Sequence, residues 1–417
     1  MNTHLAVEEA RVRDAIRAYQ STGRALLFAM AGVNDVEVEA EGSWVIGMSG
    51  RRYLDLGSFS VFLLGHRPAR VVEAVHRQLD RMPGASRTLP SSVVSDAAAD
   101  MVALAPTGLD KVMLLNSGAE AVEAALKLAR ARTGRATIAH LERSFHGKTM
   151  GALSITDAPL FQGPAEPLLA DTVRLPRDDA ERAAELIHST RPAAVFVEPV
   201  QGEGGVFEVD PAYLHVLRSC CDEVGALLVF DEIQCGLGRT GSLWAAAGRP
   251  HADVLLAGKA LGGGVMPVSA VIATEDAFGP YDRDPLLHSS TFGGHPLAAA
   301  ALSATVATIR EEGIPERCAR LGSAFRTVLD GLAAAHPDLF TMVTGRGLLL
   351  GLHCVRPEVS GEFIRASLQR SILLTPCLTT PHVVRVTPPS TVQPAEIDLA
   401  SQALHEAADA TRVACSS

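Results

Sequence analysis

Short runs of consecutive apolar residues, each closed by a polar turn, recur through the middle of the chain at 111–115, 193–197, 226–230 and 253–257. Runs this short and this continuous predict strands covered on both faces. Between them, at 119–132, 180–188 and 211–224, apolar positions return with helical spacing instead. Strands alternating with helices predict an α/β architecture, a mostly parallel sheet covered by helices. One more strand is expected at 268–274, followed by a long helix at 295–310.

The two ends of the chain read differently. Residues 1–20 predict a helix. Val36 and Val38 then alternate with polar neighbours, and the pattern resumes at 44–46 and 53–56 with breaks at Glu41, Gly42, Ser49 and Gly50, predicting a small antiparallel meander. Helices follow at 69–81 and 92–105. After residue 310 come a helix at 315–335, strands near 340–343 and 348–353, a helix at 362–369, strands near 372–374 and 383–386, and a closing helix at 395–410. This tail predicts a smaller α+β domain packed with the meander. The expected division is 1–60 as the N-terminal segment of the small domain, 61–310 as the large domain, and 311–417 as the C-terminal part of the small domain.

Charge narrows the partners. A formal net charge of -10, with no basic cluster, argues against nucleic acid and anionic membrane and leaves small metabolites as the expected ligands. No apolar run approaches the roughly 18 residues of a membrane span, and residues 1–24 lack the apolar core of a signal peptide. The 7 cysteines are scattered, odd in number and without the paired spacing of a zinc site. They predict reduced thiols in a cytoplasmic protein, with no metal centre.

Among 37 basic residues the only lysines are Lys111, Lys127, Lys148 and Lys259. A chain that uses arginine wherever charge suffices keeps Lys259 for its amine. Lys259 follows the buried run 253–257 and precedes Gly262, Gly263 and Gly264, at the carboxyl end of a strand where ligand crevices form. Partial desolvation there favours a nucleophilic amine able to form a Schiff base, although a lysine snorkelling from a strand end fits the residue alone equally well. Asp231 ends the most apolar strand and needs a cationic partner, either a protonated pyridine nitrogen or a structural arginine. Ser117, Gly118 and Ala119 open a helix whose free amides favour a phosphate; Ser117 with Glu120 also reads, alone, as a plain capping box. Phe145 offers a ring for stacking, or a core side chain. Ser289, Ser290 and Thr291 offer hydroxyls beside a glycine turn.

Taken in order, six stretches carry a resemblance. They are Asn116-Ser-Gly-Ala-Glu120 continuing to Lys127, Phe145-His-Gly-Lys148, Glu198-Pro-Val-Gln-Gly-Glu203 with Gly204 and Gly205, Phe230-Asp-Glu-Ile-Gln234 continuing to Gly241, Lys259-Ala-Leu-Gly-Gly-Gly264, and Ser290-Thr-Phe-Gly-Gly294. From about residue 30 to the end the chain resembles the class III aminotransferases, fold-type-I enzymes that use pyridoxal 5'-phosphate (PLP). The resemblance implies that Lys259 carries the cofactor as a Schiff base and shuttles a proton. It further implies that Asp231 holds the pyridine nitrogen protonated, Gln234 bonds the ring hydroxyl, Phe145 stacks on the ring, and Ser117, Gly118 and Ala119 bind the phosphate. Thr291 would reach the phosphate of a neighbouring subunit, which implies a homodimer. Arg385 resembles the arginine that takes a substrate carboxylate, Glu203 its switch partner, and Lys148 and Ser290 stand at substrate-facing positions.

The implied reaction moves an amino group from an ω-amine or amino acid to a 2-oxo acid such as 2-oxoglutarate by ping-pong half-reactions. Lys148 stands where ornithine and acetylornithine aminotransferases carry arginine, and 259–267, 272–275 and 288–292 look most like the diamine, putrescine-type branch. Ser58, Ser60, Leu63, Cys377, Ser390 and His295 depart from the family pattern, His295 reading as a packing variant rather than a new base. Two other classes stay open: a PLP-dependent lyase, replacement or carbon–carbon bond-forming enzyme, and a cofactor-free binding protein, which Lys259, Asp231 and Gln234 disfavour.

Overall fold

The computed structural model describes residues 3–416, so Met1 and Asn2 of the first expected helix lie outside the described residues. The described residues form two compact units: one from the segment up to residue 68 with 321–377 and the segment from 381 onward, the other from residues 69–320 with 378–380.

The larger unit is built on a seven-stranded sheet. Its strands are β1 (Lys111–Leu115), β2 (Ile138–Leu141), β3 (Thr172–Leu175), β4 (Ala194–Val197), β5 (Leu227–Asp231), β6 (Val254–Ala257) and β7 (Ser269–Ala273). They lie in the order β1-β7-β6-β5-β4-β2-β3. All neighbours are parallel except β7, which is antiparallel to both β6 and β1. Every residue of β2, β4, β5, β6 and β7 is buried, as expected for strands with a helix layer on each face. One core cluster joins Val122, Ala125 and Leu128 of helix α1 (Gly118–Thr133) to Phe196, Val229 and Leu256. The opposite face joins Val195, Val197, Leu228 and Phe230 to Leu214, Leu217 and Cys221 of the helix Pro211–Val224.

The smaller unit holds the expected meander, strands Glu37–Glu41, Trp44–Gly47 and Arg52–Asp55 in antiparallel order. Ile372–Leu373 adds a parallel fourth strand against Arg52–Asp55, which joins the two ends of the chain in one sheet. A second sheet runs Phe340–Arg346, Leu349–Cys354, Val383–Val386, Thr375–Pro376. Arg385 lies in its third strand, paired with Gly351 and Thr375 and closed to solvent. Among the described residues no helix is long and apolar enough to cross a membrane, and no group of His, Cys, Asp and Glu is arranged to hold a metal.

Candidate active site

The carboxyl ends of β5, β4 and β6 place Asp231, Glu198 and Lys259 on the same edge of the sheet, because parallel neighbours end together. Lys259 is half-buried and follows β6 by two residues, in a turn over Lys259–Gly262. Its φ is 47°, in the left-handed region a residue with a Cβ avoids. Observed strain of this kind concentrates at functional positions.

Asp231 is buried, and its two oxygens have separate donors. Oδ2 accepts from His146 Nδ1 at 2.7 Å and Oδ1 from the Ile233 amide at 3.1 Å. Glu198, one residue past β4, accepts from the Phe145 amide at 2.8 Å and the Gly202 amide at 3.3 Å. Burial, with the negative charge of Asp231 second, pushes the Glu198 carboxyl well above the usual range, while the Phe145 amide and Lys259 oppose that rise. Glu198 therefore sits beside Asp231 with a raised pKa and both oxygens on backbone amides.

Glycines set how closely the pieces approach. A Cβ on Gly118 would meet Ile233 Cδ1 at 3.0 Å, and one on Gly258 would meet Ile233 Cγ2 at 3.2 Å. Gly147, at φ +135°, would place a Cβ 2.8 Å from that of Ala119. A Cβ on Gly202 would overlap the buried Gln234 side chain. The start of α1, the Phe145 segment and the ends of β5 and β6 thus converge, with Ile233 beside both α1 and the lysine turn. Ser117 caps α1, its Oγ accepting from the Glu120 amide at 3.2 Å. The glutamate half of the expected capping box goes elsewhere: Glu120 accepts from the amide and side chain of Asn116, both at 2.8 Å. Asn116 Nδ2 in turn donates to Ser290 Oγ at 2.9 Å, which ties the 290 loop to the start of α1.

Other expected site residues make contacts of their own. Thr291 is exposed, its carbonyl accepting from Arg87 at 2.8 Å. Lys148 is exposed, with Nζ 3.8 Å from the Phe161 ring centre and 6.0 Å from that of Phe145. Glu203 is buried, accepting from the Leu378 amide at 2.9 Å. His295 caps the helix Pro296–Glu311, its Nδ1 accepting from the Leu297 amide at 3.3 Å.

Sequence reasoning did not assign His146 or Ile233 to the site. For His146 a signal existed, since Asp231 demanded a cationic or hydrogen-donating partner and a histidine stood inside one of the six stretches.

These residues fit a flat, phosphorylated, basic ring. Gly118 and Gly147 keep Cβ atoms out of the space beside a capped helix start, Asp231 offers a buried carboxylate, and Lys259 an amine on the adjacent strand end. Fold and site together define a PLP enzyme of fold type I. The comparisons narrow this further: the aminotransferase class-III family model matches residues 31–408, and the chain belongs to that family of PLP-dependent transaminases. A crystal structure of the ornithine aminotransferase from Toxoplasma gondii ME49 is 30% identical, covers 97% of this chain and 96% of its own, and superposes with a TM-score of 0.89. A second structure of that enzyme shows partial occupancy of PLP at its active site. A thermostable (S)-enantioselective ω-transaminase from Thermomicrobium roseum is 26% identical with a TM-score of 0.84, covering 90% of this chain and 93% of its own. A transaminase from the marine bacterium Virgibacillus shares the fold, at 24% identity and a TM-score of 0.84 over 91% of this chain and 94% of its own.

Proposed function

We propose that this transaminase takes an amino group from an ω-amine or amino acid of the diamine or ornithine type and delivers it to a 2-oxo acid such as 2-oxoglutarate, in alternating half-reactions. The observation that carries the reading is the placement of Lys259 and Asp231 on adjacent parallel strand ends, with Asp231 held by His146. The 30% identity to an ornithine aminotransferase over 97% of the chain supports the donor class.

Bound PLP supplies a carbonyl for the incoming amine and a ring that draws electrons from the reacting carbon. The remaining work belongs to the chain. Lys259 would anchor the cofactor between turnovers, and its Nζ would carry the proton between the substrate carbon and the cofactor. Asp231 holds a proton at the ring nitrogen, and His146 keeps its carboxylate aimed. Gln234 would hold the ring hydroxyl, Phe145 would cover a ring face, and Ser117, Gly118 and Ala119 would hold the phosphate at the start of α1. Lys148 and Ser290 face the substrate, Arg385 takes a substrate carboxylate, and Glu203 serves as the switch residue between charged and uncharged substrates.

Thr291 reaches the phosphate of a second copy, so the working unit is a homodimer acting in the cytoplasm. The exposure of Thr291 beside Phe292, itself 63% exposed, supports this arrangement.

The test follows the cofactor's absorbance as glutamate, ornithine and putrescine are added singly to holoenzyme without acceptor. A donor of this class converts the yellow form to the aminated form, and 2-oxoglutarate reverses the change. Lys259→Ala abolishes turnover. Full activity in that variant, or release of substrate fragments without nitrogen transfer, refutes the proposal.

A further inference from the structure

The short helix Met150–Ser154 begins with a residue suited to cap it, yet its cap comes from another helix. Thr149 stands at the cap position, where a threonine oxygen ordinarily accepts from the second or third helical amide. Its hydroxyl instead donates to Glu123 Oε1 at 2.6 Å. The second and third amides, of Gly151 and Ala152, donate to that same oxygen at 2.9 Å and 3.1 Å. Glu123 is half-buried on α1, little more than one turn beyond Gly118 and Ala119. A local cap closes a helix; a cap supplied by a second helix also docks it. The fit is close, since a Cβ on Gly151 would overlap the Glu123 carboxylate.

The clamp reaches the Phe145 segment through Thr156. The Thr156 hydroxyl shares its hydrogen between the carbonyls of Ala152 and Gly147, both at 3.0 Å. It accepts in turn from the amides of His146 at 2.9 Å and Gly147 at 3.2 Å. Ala152, Thr156, His146 and Gly147 are all buried, so this connected set is sheltered from competing water. Both ends of the cofactor then refer to one helix. The phosphate would sit at the start of α1, and the ring would lie under Phe145, whose segment is pinned to α1 at Glu123. A ligand of fixed length fits only where that span is fixed too.

We propose that Glu123 is a positioning residue for PLP, its carboxylate setting the span between the start of α1 and the ring of Phe145. The inference rests on the reading of residues 117–119 as the phosphate seat and of Phe145 as the ring cover.

PLP itself is the probe, titrated into the resolved enzyme and followed by quenching of protein fluorescence. Visible circular dichroism of the reconstituted holoenzyme records how the ring is held. Glu123→Ala weakens PLP about tenfold, the equivalent of one hydrogen bond to a charged group, and reduces the visible band. Glu123→Gln, which keeps an acceptor at the same point, stays within about threefold of wild type. Thr149→Val deletes one of the three donors at an exposed position and weakens PLP about threefold, which keeps the inference testable should Glu123→Ala fail to fold. Phe145→Leu also weakens PLP. Combined with Glu123→Ala it loses less than the two single losses together, because the clamp acts through the ring cover. Unchanged PLP affinity in Glu123→Ala and Thr149→Val, even with lowered stability in urea, overturns the role of Glu123 when Phe145→Leu is impaired. Fully additive losses overturn it as well. An unimpaired Phe145→Leu overturns the ring-cover reading beneath it.

Discussion

Replacing His146 by leucine tests whether Asp231 depends on the histidine or merely touches it. Both side chains are closed to water, at 0% and 4% exposure, and the 2.7 Å bond from Nδ1 to Oδ2 is the histidine's link to the carboxylate. Among the described residues Nε2 has no hydrogen-bond partner, so leucine deletes one polar contact and keeps apolar bulk near Phe196, whose ring centre lies 5.8 Å away. Among the described residues Asp231 then keeps the Ile233 amide as its hydrogen-bond donor, on its other oxygen.

Losing an ordinary hydrogen bond would cost about 1 kcal/mol. Stripping a buried carboxylate of its partner costs about 3–5 kcal/mol, because the charge remains without compensation. The burial of both groups selects the larger figure. Urea unfolding of the apoenzyme, run as a double-mutant cycle with Asp231→Asn, separates the cases. The doubly substituted chain carries no buried charge there, so it should be less destabilised than the two single losses added together, by about 2 kcal/mol or more. A loss below about 1 kcal/mol in His146→Leu, with additive single effects, would refute the argument that His146 compensates Asp231.

Two further outcomes follow from the same region. Glu198, its carboxyl pushed well above the usual range by burial and by Asp231, keeps in the folded state a proton that the unfolded chain releases above about pH 4.3. Folded protein then binds more protons than unfolded, so this group's contribution to stability falls as pH rises through the window up to the raised value, by up to about 1.4 kcal/mol per pH unit. Glu198→Gln removes that slope: the variant should match wild type near pH 4 and gain on it as pH increases, and a difference that stays flat with pH would contradict a raised Glu198 carboxyl. His295→Ala removes the cap of the helix Pro296–Glu311 and should lower stability by about 0.5–2 kcal/mol, with His295→Asn restoring it; loss of turnover without loss of stability would instead make the histidine catalytic.

How far the fold could be read in the chain depended on whether burial coincided with apolar residues. The runs that became β4, β5, β6 and β7 were legible because nothing polar interrupts them. Strand β2 (Ile138–Leu141) was not, because His140 stands in its centre. The structure buries that histidine, and burial, with the charge of His146 second, lowers its pKa to about 4, so it remains neutral. Its Nδ1 lies 3.2 Å from the Leu141 carbonyl and 3.1 Å from Ser144 Oγ. A satisfied neutral imidazole behaves as core, but hydropathy counts it as a break. Strand β3 was hidden in the same way by Arg174, and the helix Pro357–Gln369 starts ahead of the expected 362.

At the site the legible part was chemical and the missing part topological. Asp231 at the end of an apolar strand announced that a partner was required, and the choice lay between a pyridine nitrogen and an arginine. The partner inside the chain is a histidine 85 positions upstream, and no local pattern links the two. Sheet order supplies the link. With β5, β4 and β2 side by side and parallel, the segments leaving them emerge at one edge. The loop after β2 therefore crosses the end of β4, where the Phe145 amide meets Glu198, before His146 reaches Asp231 at the end of β5. Glu198 holds the middle position with its two oxygens on the Phe145 and Gly202 amides, which leaves His146 Nδ1 to Asp231.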